Sequence, residues 1–317
     1  MMKNSPACNA TVRRLTAVFT LVLINTMLMA QAIPTVACGS VTRIENFPSA
    51  YAKPRTVDVW LPEGYSPTKK YAVLYMHDGQ MLFDSTTTWN HQEWGVDETM
   101  CKLLAAKKIN NCIVVAVWNT TLRHPEYFPQ KPFYAMANDD QQRILAIGAD
   151  KGAPLLGNGP VSDNYLKFLV LELKPYVDSH YSTKPDRKHT FIAGSSMGGL
   201  ISMYALCEYP DVFGGAACLS THWPGIFTTQ NNPIPAAFLQ YLATHLPSPN
   251  NHKLYFDYGS KTLDSLYKPY QLQADDILSQ AGYSKNNWLT REFTGDDHSE
   301  KSWANRLDIP LVFLLGR

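Results

Sequence analysis

Residues 190–200 read TFIAGSSMGGL, which places Ser196 at the centre of a Gly-x-Ser-x-Gly pattern. The apolar residues before Gly194 are typical of the end of a buried strand, and residues 200–207 have the apolar content of a packed helix. The pattern therefore predicts a sharp strand-to-helix turn with Ser196 at its tip, a nucleophile elbow. The glycines at 194 and 198 are needed because a Cβ at either position would collide with the neighbouring strand or helix.

Similar apolar runs recur along the chain and alternate with helical stretches. Strands are predicted at residues 55–61, 71–76, 113–118, 190–194, 215–219, 254–258 and 288–293, and helices at residues 96–107, 163–180, 200–209 and 267–280. This alternation predicts an α/β fold with a mainly parallel central sheet flanked by helices. Catalytic groups of such a sheet belong on loops at the carboxyl ends of its strands, and residues 194–196 lie at one of those ends.

Two long segments, residues 119–159 and 221–251, fit no unit of this sheet. Each follows a predicted strand, so we interpret both as loop or lid insertions at the carboxyl edge that could contact substrate. The chain has 317 residues, of which 45% are apolar, and this suits one large α/β domain better than two small ones. We predict that the domain spans residues 33–317.

The N-terminus carries the pattern of an export signal. Three basic residues precede an apolar run at residues 15–30, and small residues follow at positions 30 and 32. This predicts a signal peptide over residues 1–32, cleaved after Ala32 or Ala37. A membrane anchor is the alternative, but the run is shorter than the roughly 20 residues that span a bilayer. Lipidation at Cys38 is a further alternative, which Pro34 and Thr35 disfavour.

The net charge of the chain gives no sign of a polyanionic binding partner. The formal charge is +1 for the whole chain and becomes −2 when residues 1–32 are removed, because they contain three basic and no acidic side chains. A near-neutral protein gives no reason to expect a nucleic acid or an anionic membrane surface as a partner. We therefore expect a secreted or periplasmic protein with no stable membrane association after signal cleavage.

Five cysteines follow Ala32, at positions 38, 101, 112, 207 and 218. In an oxidising compartment Cys101 could pair with Cys112, and Cys207 with Cys218, because each pair would join a helix to the strand that follows it. The alternative is that they are small buried apolar side chains, which suits the apolar surroundings of Cys207 and Cys218.

A serine hydroxyl becomes nucleophilic only when a base takes its proton and an acid orients that base. In this type of fold the acid and then the histidine follow the serine along the chain. His298 lies in a polar turn after the predicted strand 288–293, at the catalytic edge of the sheet. His252 instead precedes a strand at its amino end, and His245 lies inside an insertion. His298 is therefore the predicted base.

The predicted acid is Asp264, on the loop that follows strand 254–258. Asp257 is its main rival, but it lies inside the strand, where its side chain points into one face of the sheet. Asp275 and Asp276 have the pattern of solvated helix positions. Because strand 254–258 ends at the catalytic edge, Asp264 is best placed to reach His298.

The oxyanion formed on the attacked carbonyl needs two preorganised donors. The N–H of Met197 is one candidate, because this residue opens the helix after Ser196 and the amino end of a helix favours negative charge. The second candidate is the N–H of Gln80, in the loop after strand 71–76. Gly79 would allow that backbone to turn closely.

Other polar side chains follow strands at the same edge and could contact substrate. The candidates are Arg123, His124, Glu126 and Tyr127 after strand 113–118, and His222 and Trp223 after strand 215–219. An aromatic ring beside polar groups suits a sugar ring or an aryl acyl group. Packing within the loops is the alternative, above all for Arg123 and Tyr127. We interpret His77 and Asp78 as supporting or substrate-contacting groups, with Asp78 as a predicted contact.

With these residues placed, the sequence resembles the putative esterase family of α/β-hydrolases. That family includes feruloyl and acetylxylan esterases, esterase D, siderophore esterases and mycolyltransferases of the antigen 85 type. The matching motifs are VDVWLP (57–62), HDGQ (77–80), WGVD (94–97), GSSMGG (194–199), GSKTLD (259–264) and GDDH (295–298), in a match that covers about residues 40–317. The resemblance implies an α/β-hydrolase fold with Ser196 as nucleophile, His298 as base, an acid near Asp264, and Met197 and Gln80 as oxyanion donors.

These features predict a secreted serine esterase that forms an acyl-enzyme on acetyl or feruloyl esters of carbohydrates. Its partner would be a small-molecule or glycan ester. No metal or organic cofactor is expected, because His77 and Asp78 lack companions at ligand spacing. The alternatives are a siderophore trilactone esterase, with Arg123 and Lys131 as cationic groups, an acyltransferase, and a non-catalytic carbohydrate-binding protein.

Overall fold

A computed structural model of the protein describes Met1, residues 32–148 and residues 152–317. The predicted signal peptide thus lies outside the described residues except at its two ends. Eight strands of the described chain form one sheet: β1 (Ser40–Phe47), β2 (Arg55–Leu61), β3 (Ala72–His77), β4 (Cys112–Val117), β5 (Thr190–Ser195), β6 (Gly215–Leu219), β7 (Lys253–Gly259) and β8 (Trp288–Phe293).

The strands lie in the order β1-β2-β4-β3-β5-β6-β7-β8. β2 pairs antiparallel with β1 and with β4, whereas every other neighbouring pair is parallel. The carboxyl ends of β3 to β8 therefore meet at one edge of the sheet, where a ligand site is expected in an α/β fold. This confirms the predicted mainly parallel sheet.

All seven predicted strands form, with bounds that differ from the predictions by no more than one residue. β1 is the strand that the sequence pattern did not indicate. Its side chains alternate irregularly between exposed and half-buried positions, and it contains Arg43 and Glu45. Arg43 lies opposite Asp58 of β2, and its guanidinium contacts that carboxylate at 2.7 Å, so a cross-strand ion pair helps to hold β1 on the sheet.

The helices lie against the two faces of the sheet. They are α1 (Val96–Ala105), α2 (Arg123–Tyr127), α3 (Gln130–Ala135), α4 (Asn138–Leu145), α5 (Ser162–Lys167), α6 (Lys174–His180), α7 (Met197–Glu208), α8 (Ile234–His245), α9 (Lys268–Gln280), α10 (Glu300–Ala304) and α11 (Asp308–Leu315). A π-helical turn, Phe168–Leu173, joins α5 to α6, so the predicted helix 163–180 is present with one irregular turn.

Burial explains why the inner strands are continuously apolar. Every residue of β3, β4, β5 and β6 is buried. Side chains alternate between two cores: Val73 and Tyr75 of β3 join one, and Leu74 and Met76 join the other. Both faces of the sheet are thus covered, as parallel strands require.

The two segments interpreted as loop insertions contain helices. Residues 119–159 include α2, α3 and α4, and residues 221–251 include α8. The segments pack against each other, with the rings of Phe128 and Phe238 5.0 Å apart. The carboxyl edge is therefore bordered by helices as well as by loops.

The disulfide pairing differs from the one considered in the sequence. Cys101 on α1 is bonded to Cys38, and Cys112, Cys207 and Cys218 are free and buried. Pairing of Cys101 with Cys112 and of Cys207 with Cys218 was therefore wrong, and the buried apolar interpretation of Cys207 and Cys218 was right. The physical reason is that Cys112 points into the packed core while Cys101 faces the segment that precedes β1.

That segment is also held by hydrogen bonds. The N–H groups of Thr35 and Ala37 donate to the carboxylates of Asp84 and Asp97 at 2.8 and 2.6 Å. Since the sulfur of Cys38 is in a disulfide, it is not available for a lipid. Within the described residues, no helix is both long and apolar enough to cross a membrane.

Replacing Cys38 with Ser should lower the free energy of unfolding by about 2–4 kcal/mol, because the disulfide closes a long loop in the unfolded chain. Urea unfolding of the oxidised proteins would measure the change. Reduced wild-type protein should unfold at the same urea concentration as Cys38→Ser. Equal stability of oxidised and reduced wild-type protein would contradict the Cys38–Cys101 bond.

Candidate active site

Ser196 lies at the tip of a tight turn between β5 and α7. Its backbone has φ 58° and ψ −121°, a conformation that non-glycine residues rarely adopt. The turn is held by the neighbouring strand β6 and the residues after it. Ser196 N–H donates to the Leu219 carbonyl at 2.9 Å, and the Ser196 carbonyl accepts from His222 N–H at 3.2 Å. The turn thus projects Ser196 from the carboxyl edge of the sheet, as the elbow pattern predicted.

Close packing requires a glycine at position 194, whereas at position 198 a Cβ would make only a tight contact rather than the predicted collision. A Cβ on Gly194 would lie 2.8 Å from the backbone of Gly198, a separation that real Cβ atoms do not show. A Cβ on Gly198 would lie 3.4 Å from the Cβ of His77 on β3. Gly194 therefore lets the strand and the helix approach closely, and Ser196 is the single residue between the end of β5 and the start of α7.

His298 and Asp264 come together at the same edge, although 34 residues separate them in sequence. His298 Nδ1 lies 2.6 Å from Asp264 Oδ1. The other carboxylate oxygen, Oδ2, accepts from Gly259 N–H at 2.5 Å and from Ser220 Oγ at 2.6 Å. Asp264 is fully buried, so these bonds leave its carboxylate one fixed orientation towards the imidazole.

The rival acid, Asp257, has a different partner. It forms a buried ion pair with Arg306 at 3.0 Å, and it accepts from the Tyr255 hydroxyl at 2.9 Å. Arg306 also donates to Ser220 Oγ at 2.9 Å, and Ser220 in turn donates to Asp264. Asp257 is therefore connected to Asp264 through Arg306 and Ser220, and Asp264 is the carboxylate that contacts His298.

Ser196 and His298 line one cavity of about 420 Å³. Met197, the first residue of α7, and Gln80 also line it. The Met197 N–H belongs to the first turn of the helix, where amide groups have no partner within the helix. The structure thus brings the predicted nucleophile, the predicted base and both predicted oxyanion donors to one cavity, and the predicted acid contacts the base.

The loop that carries Gln80 is shaped by Asp78 and Gly79. Asp78 has a left-handed backbone with φ 55°, and residues Gly79–Met81 form a 3₁₀ turn. A Cβ on Gly79 would lie 2.5 Å from the carbonyl carbon of Ala116 in β4. Gly79 therefore allows the close approach expected of it, and the reversal of the chain is made by Asp78.

One protein-family model matches most of the chain. The family model described as "Putative esterase" matches residues 49–308. The chain belongs to this family.

One curated relative carries an esterase name, and a second is an uncharacterized protein. Over 188 residues the chain is 27% identical to an endo-1,4-beta-xylanase/feruloyl esterase of Xylanibacter ruminicola, a match that covers 57% of the chain and 22% of the relative. A match to protein YjcH of Bacillus subtilis covers 59% of that protein. The chain thus spans less than two thirds of the length of these two curated relatives.

Solved structures share the fold at low identity. A ferulic acid esterase from Anaeromyces mucronatus in complex with ferulic acid superposes with a TM-score of 0.58 and 19% identity, over 88% of the chain and 93% of that structure. The enterobactin esterase of Shigella flexneri gives a TM-score of 0.59 and 17% identity, over 89% of the chain and 59% of that structure. Both similarities confirm the α/β-hydrolase type of fold.

In this esterase-family chain, Asp78 and Arg123 form an ion pair beside the cavity. Arg123 Nε and Nη2 each donate to one oxygen of the Asp78 carboxylate at 2.7 Å, and Asn119 Nδ2 donates to it at 2.6 Å. Arg123 keeps 28% of its side chain exposed, compared with 11% for Asp78. The predicted contacts Asp78 and Arg123 both line the cavity, but each neutralises the other.

The other predicted contacts divide into two groups. His222 and His124 line the cavity. Trp223 does not: its ring is fully buried, stacks on Phe256 and donates from Nε1 to Gln271 Oε1 at 3.0 Å. Glu126 is also buried away from the cavity, where it forms a two-pronged ion pair with Arg55.

Several residues around the cavity escaped the sequence analysis. Tyr267, just after the acid loop, is fully buried, and its hydroxyl lies 2.8 Å from His222 Nδ1. Trp89 and Phe227 line the cavity with 82% and 66% of their surface exposed. Arg306, in the turn between α10 and α11, gave no local signal, because other charged residues lie near it in sequence. Trp89 and Phe227 lie in loops whose course only the fold decides, and Tyr267 lies at the start of a predicted helix whose orientation the sequence does not give.

Replacing Asp257 with Asn should lower the free energy of unfolding by about 3–5 kcal/mol, because it removes one partner of a buried ion pair. Urea unfolding would measure the loss. Asp276→Asn is the matched control, since Asp276 is exposed on α9 and its replacement should change stability by about 0.5 kcal/mol or less. Equal stability of the two variants would contradict a structural role for Asp257.

Proposed function

We propose that the chain is a serine esterase, a carboxylic-ester hydrolase that works through an acyl-enzyme on acetyl or feruloyl esters of carbohydrates. The observation that carries the proposal is the contact of His298 with the buried Asp264, at the cavity into which the Ser196 elbow projects. A nucleophile, a base and an orienting acid in this arrangement are the requirements for acyl transfer.

In the proposed reaction, Ser196 Oγ attacks the ester carbonyl while His298 Nε2 takes the hydroxyl proton. Asp264 accepts from His298 Nδ1–H and so leaves Nε2 as the basic nitrogen. The N–H groups of Met197 and Gln80 stabilise the oxyanion. The tetrahedral intermediate then collapses: the alcohol leaves with the proton from His298, and Ser196 keeps the acyl group.

Water completes the cycle. His298 removes a proton from a water molecule, which attacks the acyl carbon, and the second tetrahedral intermediate releases the carboxylic acid and restores Ser196. The helix that begins at Met197 adds a favourable field at the oxyanion in both steps, because its amino end points at the reacting carbon.

The substrate part of the proposal rests on the walls of the cavity. Trp89 and Phe227 present exposed rings next to polar side chains, an arrangement that suits a sugar ring or an aryl acyl group. Relatives named as feruloyl esterases support the same class of substrate. The pairing of Arg123 with Asp78 counts against a siderophore trilactone, because that cation is already neutralised.

Lys131 does not provide the free cation that a siderophore trilactone would need, since its ammonium group contacts Glu208.

The acyltransferase alternative predicts that an added alcohol captures the acyl group in place of water. Product analysis with and without an alcohol acceptor would separate the two reactions.

Export to the periplasm or the cell exterior is part of the proposal. Its supports are the signal-peptide pattern of residues 1–32 and the Cys38–Cys101 disulfide, since disulfides persist in oxidising compartments. The terminal sequence of the exported protein would test both this and the cleavage point.

Ser196→Ala should abolish ester hydrolysis and labelling by a fluorophosphonate, because no acyl-enzyme can form without the hydroxyl. Gel detection of the probe and a chromogenic ester assay would measure both effects. Ser195→Ala is the control, since it removes the neighbouring hydroxyl and should retain labelling. Labelling that persists in Ser196→Ala would overturn the assignment of the nucleophile.

Asp264→Asn should lower kcat by about 10⁴-fold, as expected when a histidine loses the carboxylate that fixes its tautomer. Steady-state kinetics on an ester that the wild-type protein hydrolyses would measure the loss. Asp276→Asn should leave kcat unchanged. A loss of less than tenfold in a folded Asp264→Asn protein would remove Asp264 from the proposed triad.

A further inference from the structure

A second polar group lies beside Ser196 and takes no part in the proposed triad. It consists of His222, Tyr267 and His124, with the ring of Phe227 next to both histidines. His222 follows β6, Tyr267 precedes α9, and His124 lies on α2. The inference drawn from this group rests on the proposed function, since it concerns how the same cavity recognises its ester.

Tyr267 connects this group to the nucleophile. Its hydroxyl lies 2.8 Å from His222 Nδ1, and its ring packs edge-on against His298 with the ring centroids 5.8 Å apart. Burial raises the pKa of Tyr267 and the Asp264 charge raises it further, whereas the Ser196 side chain lowers it. The phenol therefore stays protonated and lies next to both Ser196 and His222.

The directions of the hydrogen bonds follow from the acid. Asp264 only accepts, so His298 donates from Nδ1, and in the proposed reaction its Nε2 takes the Ser196 proton. Ser196 Oγ can then accept from the Tyr267 hydroxyl, and Tyr267 can accept from His222 Nδ1–H. A neutral imidazole carries one proton, so this chain leaves a lone pair on His222 Nε2.

That lone pair lacks a partner. His222 Nε2 is buried without a hydrogen bond, and so is His124 Nε2. Both imidazoles are neutral near pH 7: burial lowers the pKa of His222 to about 3, His298, His124 and Arg123 lower it further, and a backbone hydrogen bond with Ile226 opposes these effects. Burial likewise lowers the pKa of His124 to about 4, and Arg123 adds to this effect. An unsatisfied buried acceptor beside a cavity is expected to find its donor in the ligand.

We propose that His222 Nε2 accepts a hydrogen bond from a hydroxyl group of the ester substrate, and that Tyr267 is the positioning residue that keeps this nitrogen unprotonated. Phe227 lies 5.9 Å from the His222 ring and 5.8 Å from the His124 ring, so a flat group could lie among the three. The hydroxyl can belong to an aromatic acyl group or to the alcohol. In either case, an ester that lacks the donor leaves His222 unpaired.

Matched esters test the proposal and distinguish the two sources. The acyl arm compares methyl 3- and 4-hydroxycinnamate with the corresponding methoxycinnamates, and the alcohol arm compares 2-hydroxyethyl with 2-methoxyethyl cinnamate. In one arm the hydroxyl compound should have a kcat/KM at least about fivefold higher, the effect of leaving a buried acceptor unpaired. A ratio near one in both arms would overturn the proposal.

His222→Phe should reduce that ratio to about one, because phenylalanine fills the site without an acceptor. His245→Phe is the matched control, since His245 is exposed on α8 and outside the cavity, and it should keep the wild-type ratio. A ratio that survives in a folded His222→Phe protein would overturn the role of His222.

The tautomer gives a test that needs no activity. Nitrogen-15 NMR of the wild-type protein at pH 7 should show His222 protonated at Nδ1 and unprotonated at Nε2. The His222 signals are assigned by their absence from the spectrum of His222→Phe. In Tyr267→Phe the Nε2-protonated form should appear. A wild-type His222 protonated at Nε2 would contradict the proposed bond directions.

The outcomes also separate this inference from the proposed function. If wild-type protein hydrolyses hydroxyl and methoxy esters equally and Ser196→Ala hydrolyses neither, the esterase assignment stands and the role of His222 fails. If wild-type protein hydrolyses none of the esters, the proposed function fails, and the tautomer still reports on His222.

Discussion

The close approach of Gly194 and Gly198 is the constraint on which the site depends. Because the backbones of β5 and α7 leave no space for a Cβ between them, the chain must reverse within one residue, and Ser196 takes a left-handed backbone to do so. The same reversal points the amino end of α7 at the cavity and lets Leu219 of β6 bond the turn. The positions of the proposed nucleophile and of one proposed oxyanion donor therefore both follow from one packing contact.

The position of Asp264 depends on the pairing of buried charges and not on steric packing. Asp264, Asp257 and Arg306 are almost fully buried together, and Ser220 joins the two carboxylates because its hydroxyl donates to Asp264 and its backbone N–H donates to Asp257. Burying such charges is favourable only when each is paired, so the group tolerates few other arrangements. This rigidity fixes the direction in which Asp264 faces His298. The site thus combines a turn set by steric packing with an acid set by electrostatic pairing.

Much of this arrangement could be predicted from local sequence. The buried inner strands have continuous apolar runs, and the positions of Ser196, Asp264 and His298 after three parallel strands, one of them the half-exposed edge strand β8, place all three at one sheet edge. β1 escaped prediction because its pairing depends on Arg43 meeting Asp58, a contact between strands that no local pattern encodes. Cys101 was paired wrongly for a similar reason: neighbours in sequence looked suitable, but Cys112 points into the core.

The sequence by itself therefore determined the succession of strands and helices along the chain, the elbow and the residues of the predicted triad. Each of these is encoded by periodicity or by a short motif. The tertiary structure alone decided which side chains reach the cavity. Trp223 and His222 are adjacent in sequence, yet Trp223 is buried and bonds to Gln271 of α9, whereas His222 lines the cavity. The roles of Tyr267, Arg306 and Cys38 likewise depend on contacts between distant segments, and such contacts follow from packing that no local stretch of sequence contains.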